Sequence, residues 1–187
     1  MNNKIIVRVA EGLGNQMFMY ANAYSLAVKN QCALLIDDES GFYKKKNRNR
    51  GRSYNLDSFL IETEIVSNKF KFNTRAKNIL RKFLKIINFF LKKKIFILEK
   101  FFKNKKTKFV NLSNLRLNKI CYVEGHYESE KYFLNYSDKI KEKFTINNNK
   151  VNNNNFFISK IKSVNSVSIH FRKHRFTEEI NEKKKKL

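Results

Sequence analysis

An apolar run of Ile5, Ile6, Val7 and Val9 leads directly into Gly12-Leu13-Gly14, and apolar residues then recur at three- and four-residue steps. That order constrains the fold more than any other feature of the chain. Lys4 to Val9 reads as a β-strand. Gly12 and Gly14 read as its turn, because glycine tolerates positive φ or a close backbone approach at little cost. Met17, Phe18, Ala21, Tyr24 and Val28 place one apolar face on a helix from Asn15 to Lys29. Ala33 to Ile36 is a second apolar strand, closed by Asp37 and Asp38. Strand, turn, helix, strand is a βαβ unit with an expected right-handed crossover. The expected fold class is therefore α/β.

The rest of the chain divides by composition. Lys44 to Arg52 is a polar basic loop, and Leu56, Phe59 and Leu60 mark a short packed segment. From Arg75 to Lys108 thirteen Lys or Arg stand against one acid, Glu99. Ile79, Leu80, Phe83, Ile87, Phe90 and Leu91 fall at helical spacing among those charges. The pattern predicts a basic amphipathic helical insert over 75–108, broken near Lys92 to Lys94. Ile120 to Glu124 reads as a strand turned by Gly125, with a helix over Glu128 to Tyr136. An N-terminal domain over 1–146 is then expected. An Asn-rich linker over 147–163 follows it. The start of a second domain, with a strand at Val164 to Phe171, occupies 164–187.

The net charge of +24 favours polyanionic partners without choosing among nucleic acid, an anionic bilayer and phosphorylated substrates. A hydrophobic fraction of 42% excludes a globally disordered chain. Cys32 and Cys121 match neither a metal spacing nor a disulfide framework, so a reducing compartment is expected. Ile5 to Val9 is too short for a secretory leader and contains Arg8. No run of about 18 uncharged apolar residues is present, so no membrane-spanning helix is expected.

Two clusters carry candidate chemistry. Gly12-x-Gly14 after a strand offers backbone N–H groups to an anion at a helix start, although Met17 stands where a dinucleotide fingerprint has its third glycine. Asn15 and Gln16 suit hydrogen bonding to sugar hydroxyls; as capping residues they would be ordinary. His170-Phe171-Arg172 ends an apolar strand, where open α/β sheets place ligands. Alternation puts His170 and Arg172 on one side. A guanidinium there can clamp a diphosphate bidentately and stabilise a leaving phosphate. The plain alternative is a strand end in a basic protein with solvated neighbours.

With these residues in place, the chain resembles bacterial α-1,2-fucosyltransferases of glycosyltransferase family 11. Gly12-Leu13-Gly14-Asn15-Gln16-Met17-Phe18-x-Tyr20-Ala21 is similar to the family's N-terminal signature. Tyr54 to Phe59 resembles its Leu-x-x-Phe segment. Glu124 to Phe133 resembles its Gly-Tyr-x-Gln-Ser-x-x-Tyr-Phe segment. Val167 to Lys173 resembles the opening of its His-x-Arg-Arg-x-Asp motif. The four segments keep the family's order across nearly the whole chain. The last one departs from the pattern, with Lys173 for the second Arg and with His174 and Arg175 for the usual Gly and Asp.

The resemblance implies a GT-B-like glycosyltransferase of two facing Rossmann-like domains. The N-terminal domain would serve a galactose-containing glycan acceptor, with Gly12, Gly14, Asn15 and Gln16 at its turn. The C-terminal domain would bind GDP-fucose, with His170, Arg172 and Lys173 at the donor. Most of that domain would follow residue 187, so the 187-residue chain would be an inactive fragment. Transfer of L-fucose to a galactoside 2-hydroxyl would invert the anomeric centre and need neither a metal nor a resident cofactor. The expected location is cytoplasmic, with residues 75–108 as a peripheral contact to an anionic membrane. No nucleic acid is expected in this reading. The alternative is a non-enzymatic basic α/β module that binds nucleic acid or an anionic membrane.

Overall fold

A computed structural model describes residues 3–42, 52–99, 109–112, 115–147 and 155–169 of the 187. The chain divides into two compact units, Met1–Val151 and Asn152–Leu187.

The first unit is built on four parallel strands: β1 (Lys4–Arg8), β2 (Ala33–Asp37), β3 (Lys94–Leu98) and β4 (Leu117–Glu124). Their order is β2-β1-β4-β3, with Ile6 opposite Leu35 on one side and Tyr122 on the other. Helix α1 (Leu13–Lys29) crosses from β1 to β2, as the βαβ pattern requires. Helix α2 (Arg75–Phe90) precedes β3, and α3 (Ser137–Lys143) follows β4. The domain is α/β and Rossmann-like.

Side-chain alternation sorts the sheet into two cores. Ile5, Val7, Ile36, Ile97, Cys121 and Val123 pack under α1 with Met19, Tyr20, Ala23 and Leu26. Ile6, Leu35, Phe96 and Tyr122 face the other way and pack with Val66, Phe72 and Leu84 of α2. Leu56 and Phe59 join the α1 side, which accounts structurally for the Leu-x-x-Phe spacing.

The structure corrects the insert. The helix stops at Phe90, and Lys94-Ile95-Phe96-Ile97-Leu98 is the sheet's edge strand beside β4. Asn88 makes the reversal: its Nδ2 donates to the Phe96 carbonyl at 3.0 Å, and its Oδ1 accepts from the Ile95 and Phe96 N–H groups at 2.8 and 2.9 Å. A short apolar run reads alike as buried strand or buried helix. Residues 100–108 lie outside the described residues. The expected helix over Glu128 to Tyr136 is two single 3-10 turns, Glu130–Tyr132 and Leu134–Tyr136, ahead of α3.

In the second unit, α4 (Asn155–Lys162) occupies part of the segment expected to be linker. Residues 164–169 carry no sheet pairing among the described residues, so the strand expected from Val164 is not formed there. Phe156, Phe157, Ile158, Ile161 and Val167 are all exposed. No described helix is long and apolar enough to cross a membrane.

Candidate functional site

In a sheet ordered β2-β1-β4-β3, the chain leaves β1 towards β2 on one side, while β4 and β3 fill the other. The carboxyl ends of β1, β4 and β3 lie side by side, at the end of the sheet where open α/β sheets bind ligands. A cleft of about 330 Å³ opens there. Arg8 and Ala10 line it from β1, Leu98 and Glu99 from β3, and Glu124, Gly125 and His126 from β4. Glu11, Met19 and Lys85 complete the wall.

Glu124 is a buried acid of this cleft. Its Oε2 accepts from Arg81 at 2.6 Å and also from Lys85, while Oε1 has no partner among the described residues. Burial pushes the Glu124 carboxyl up, but Arg8, Lys85 and Arg81 outweigh it and hold the group below the usual carboxylate range. Burial likewise lowers the Lys85 and Arg8 pKa values, opposed in both by Glu124. Arg8 donates through Nη2 to the Ser40 carbonyl at 2.8 Å, and its buried Nε has no partner among the described residues. Beside it Asp37 is pushed up by burial, against hydrogen bonds from Ser40 and Glu39. Buried charge with unmatched donors and acceptors is costly, and such arrangements cluster at functional sites.

A rigid turn frames the opening. The Glu99 carboxylate accepts the backbone N–H groups of His126 at 2.7 Å and Tyr127 at 3.2 Å. Gly125 has φ 153°, and an added Cβ would lie 2.4 Å from the Glu99 Cβ. Only glycine fits there. Tyr127 follows at φ 53°, fully buried, its hydroxyl donating to the Ile97 carbonyl at 3.1 Å. Gly125 and Tyr127, the two positive-φ residues on either side of it, hold the His126 side chain at the cleft, partly exposed.

The residues expected at the glycine turn take other parts. Gly12 caps α1 in an extended conformation, and neither Gly12 nor Gly14 has positive φ; the left-handed residue of the turn is Glu11, at φ 67°. An added Cβ at Gly12 or Gly14 would meet nothing within 4 Å, so packing does not require either glycine. Gln16 is fully buried: Nε2 donates to the Glu11 and Ser53 carbonyls at 3.0 and 2.8 Å, and Oε1 accepts from the Asn55 N–H at 3.0 Å. Its amide therefore fastens α1 to residues 53–55 instead of facing a ligand. Asn15 is half-buried on the first turn of α1. Of this signature Met19 lines the cleft from α1, and Glu11, immediately before the signature, lines it while ion-paired with Arg52. Gly14 faces a second, apolar hollow of about 420 Å³ with Phe18, Phe133 and Phe144. His170, Arg172 and Lys173 lie outside the described residues.

Sequence reasoning passed over Arg8, Lys85, Glu99, Glu124 and His126 as site residues. The available signals were an arginine at the end of an apolar strand and a lone acid among thirteen cations. Among the described residues no group of three His, Cys, Asp or Glu could hold a metal ion.

A parallel sheet flanked by helices, with a charged crevice at the carboxyl ends of its strands, defines a Rossmann-like domain. The chain has a glycosyltransferase relative: it is 29% identical over 170 residues to an alpha-1,2-colitosyltransferase of Escherichia coli. The match covers 90% of this chain and 54% of the relative, so the chain spans about half of that protein's length. No protein-family model and no solved structure matches it significantly.

Proposed function

We propose that the chain is the acceptor side of an inverting sugar transferase. The carrying observation is the similarity to an alpha-1,2-colitosyltransferase along 90% of its length. The cleft at the carboxyl ends of β1, β3 and β4 offers a place for the acceptor. In this reading a galactoside enters between Glu11 and His126, and its 2-hydroxyl attacks the anomeric carbon of a GDP-activated 6-deoxy sugar. The bond to the diphosphate breaks, GDP leaves with the electron pair, and the hydroxyl proton passes to a base at the cleft. Arg172 and His170 belong to the donor side, where a guanidinium would neutralise the leaving diphosphate. The donor is GDP-fucose by family resemblance, and the relative's name adds a colitosyl donor as the second choice. Colitose is fucose without its 3-hydroxyl. A site that hydrogen-bonds that hydroxyl would reject the sugar lacking it by about 10⁴-fold or more.

The test is a titration of the 187-residue protein with a methyl β-galactoside and, separately, a methyl β-glucoside, followed by backbone NMR. Saturable shifts at Gly125 and His126 with the galactoside are expected, weakened in His126→Ala. Absence of any shift at the cleft would remove the acceptor assignment. Turnover of GDP-fucose by this protein would show that the donor site is complete within it, against the expectation that positioning both substrates needs the further domain.

A further inference from the structure

Helix α2 is mounted with its polarity reversed. The face turned to the protein carries Lys77, Asn78, Arg81, Lys85 and Asn88, all at least half-buried. Arg81 and Lys85 bind Glu124, Lys77 Nζ donates to the Asn68 carbonyl at 2.6 Å, and Asn88 holds β3. The face turned outward carries Ile79, Leu80, Phe83, Ile86, Phe89 and Phe90, all exposed, with the two terminal phenylalanines at 81% and 79%. At about 100° per residue these six occupy one side of the helix, with Arg75 and Lys82 among them. Lys92 and Lys93 are exposed just past its end, and no acid occurs from Arg75 to Leu98. An ordinary surface helix of a globular domain has the opposite arrangement. Six large apolar side chains set among cations, without one acid, match the composition of helices that lie in the plane of a lipid surface. The charge complement is an anionic bilayer.

We propose that α2 docks flat on an anionic bilayer through Ile79, Leu80, Phe83, Ile86, Phe89 and Phe90, with Arg75, Lys82, Lys92 and Lys93 against the lipid headgroups. The helix reaches the candidate site from behind: Lys85 lines the cleft and Arg81 holds Glu124 on the flank turned away from the lipid. One helix diameter, about 10–12 Å, therefore separates the bilayer surface from the cleft wall. Resting on the acceptor reading above, this places the cleft within reach of sugars attached to a lipid in the same membrane. An acceptor glycan carried on a lipid is the substrate class that fits.

The probe is vesicle co-sedimentation of the 187-residue protein, which involves no sugar, so its failure would leave the transferase reading standing. Vesicles of equal parts phosphatidylglycerol and phosphatidylcholine are compared with pure phosphatidylcholine. A protein of net charge +24 adsorbs to anions in any case, so the deciding variant leaves charge unchanged. Phe89→Ser with Phe90→Ser should weaken partitioning onto the anionic vesicles by about tenfold or more, and Ile79→Ser with Phe83→Ser likewise. Circular dichroism of both variants checks the fold. The chain has no tryptophan, so Phe90→Trp is a sole reporter whose emission should shift to the blue on docking. Unchanged partitioning in both serine pairs would reduce the contact to charge adsorption and overturn the proposal. A vesicle-independent dimer that the serine pairs dissolve would overturn it in favour of a second copy on that face.

Discussion

Helices α1 and α2 flank the same sheet and obey opposite rules. Helix α1 buries Met19, Tyr20, Ala23, Leu26 and Ala27 against Ile5, Val7, Ile36 and Val123, an ordinary apolar seam. Helix α2 gives the other core Leu84 and leaves its largest apolar residues outside. It is held by ion pairs to Glu124 and by the three hydrogen bonds of Asn88. An amphipathic pattern shows that a helix has two faces. Which one meets the protein depends on what the sheet offers, and here β4 offers a buried carboxylate and the edge strand β3 offers backbone groups that Asn88 bonds. The same carboxylate lines the cleft, so α2 is anchored by the site itself.

The comparison breaks first at Tyr20. It is fully buried, its hydroxyl lies 2.9 Å from the Thr63 Oγ1, and its ring meets Phe144 at 5.7 Å. Tyr20→Ala should cost about 3–5 kcal/mol, the range of large aromatic truncations. In thermal denaturation that is a fall of roughly 10 °C for a domain of this size. A small shift would mean that α1 is no better seated than α2.

Glu124→Gln tests the anchor of α2. It leaves Arg8, Arg81 and Lys85 around a neutral group, and breaking a buried pair from one side costs about 3 kcal/mol. The carboxyl is held below its ordinary range in the folded protein, so its contribution is complete above the unfolded value. That contribution is lost as pH falls through the lowered folded value. Acid denaturation of the wild type should therefore be steeper than that of Glu124→Gln below about pH 4.5. Parallel curves would mean that the cations do not act on this carboxyl.

Asn88→Ala removes two acceptor bonds and one donor bond at the turn into β3. The expected loss is about 1–3 kcal/mol, measured as a shift in urea midpoint. Hydrogen exchange should quicken first at Ile95 and Phe96, whose N–H groups bond to the Asn88 side chain.

How far the sequence was legible follows the same division. β1, α1 and β2 were readable because apolar spacing and burial agree there, although the left-handed residue of the turn is Glu11 and not a glycine. β4 was readable from Ile120 to Glu124, although it begins at Leu117. β3 was not, since five residues of an edge strand look like the continuation of an apolar helix until Asn88 is seen turning the chain. The candidate site was legible only through the segments that contribute to it. Glu124-Gly125-His126-Tyr127 stood out as a resemblance. The need for glycine at Gly125 comes from Glu99, twenty-six positions earlier in the chain, and no local pattern shows that contact. Gln16 misled for the same reason: an amide beside a glycine turn suggests a ligand, and its partners at Ser53 and Asn55 appear only in the fold.

The smallest expected effect sharpens the comparison most. Phe83→Ser on α2 removes a phenyl ring of the same size class as the Tyr20 ring on α1. In a helix seated like α1 the loss would be several kcal/mol. Phe83 is 59% exposed, so the folded state gains little by keeping the ring. Serine lowers helix propensity only slightly relative to phenylalanine or not at all. The stability change should therefore stay within about 0.5 kcal/mol of zero, as at other surface positions. Differential scanning fluorimetry at matched concentration decides it. A loss above that bound would show that Phe83 is covered in solution by the protein itself, and α2 would then be packed by its apolar face after all. A change near zero, set beside the Tyr20 result, would mean that six apolar residues on α2 are kept without benefit to the fold. Their reason would then lie in what the helix touches outside it.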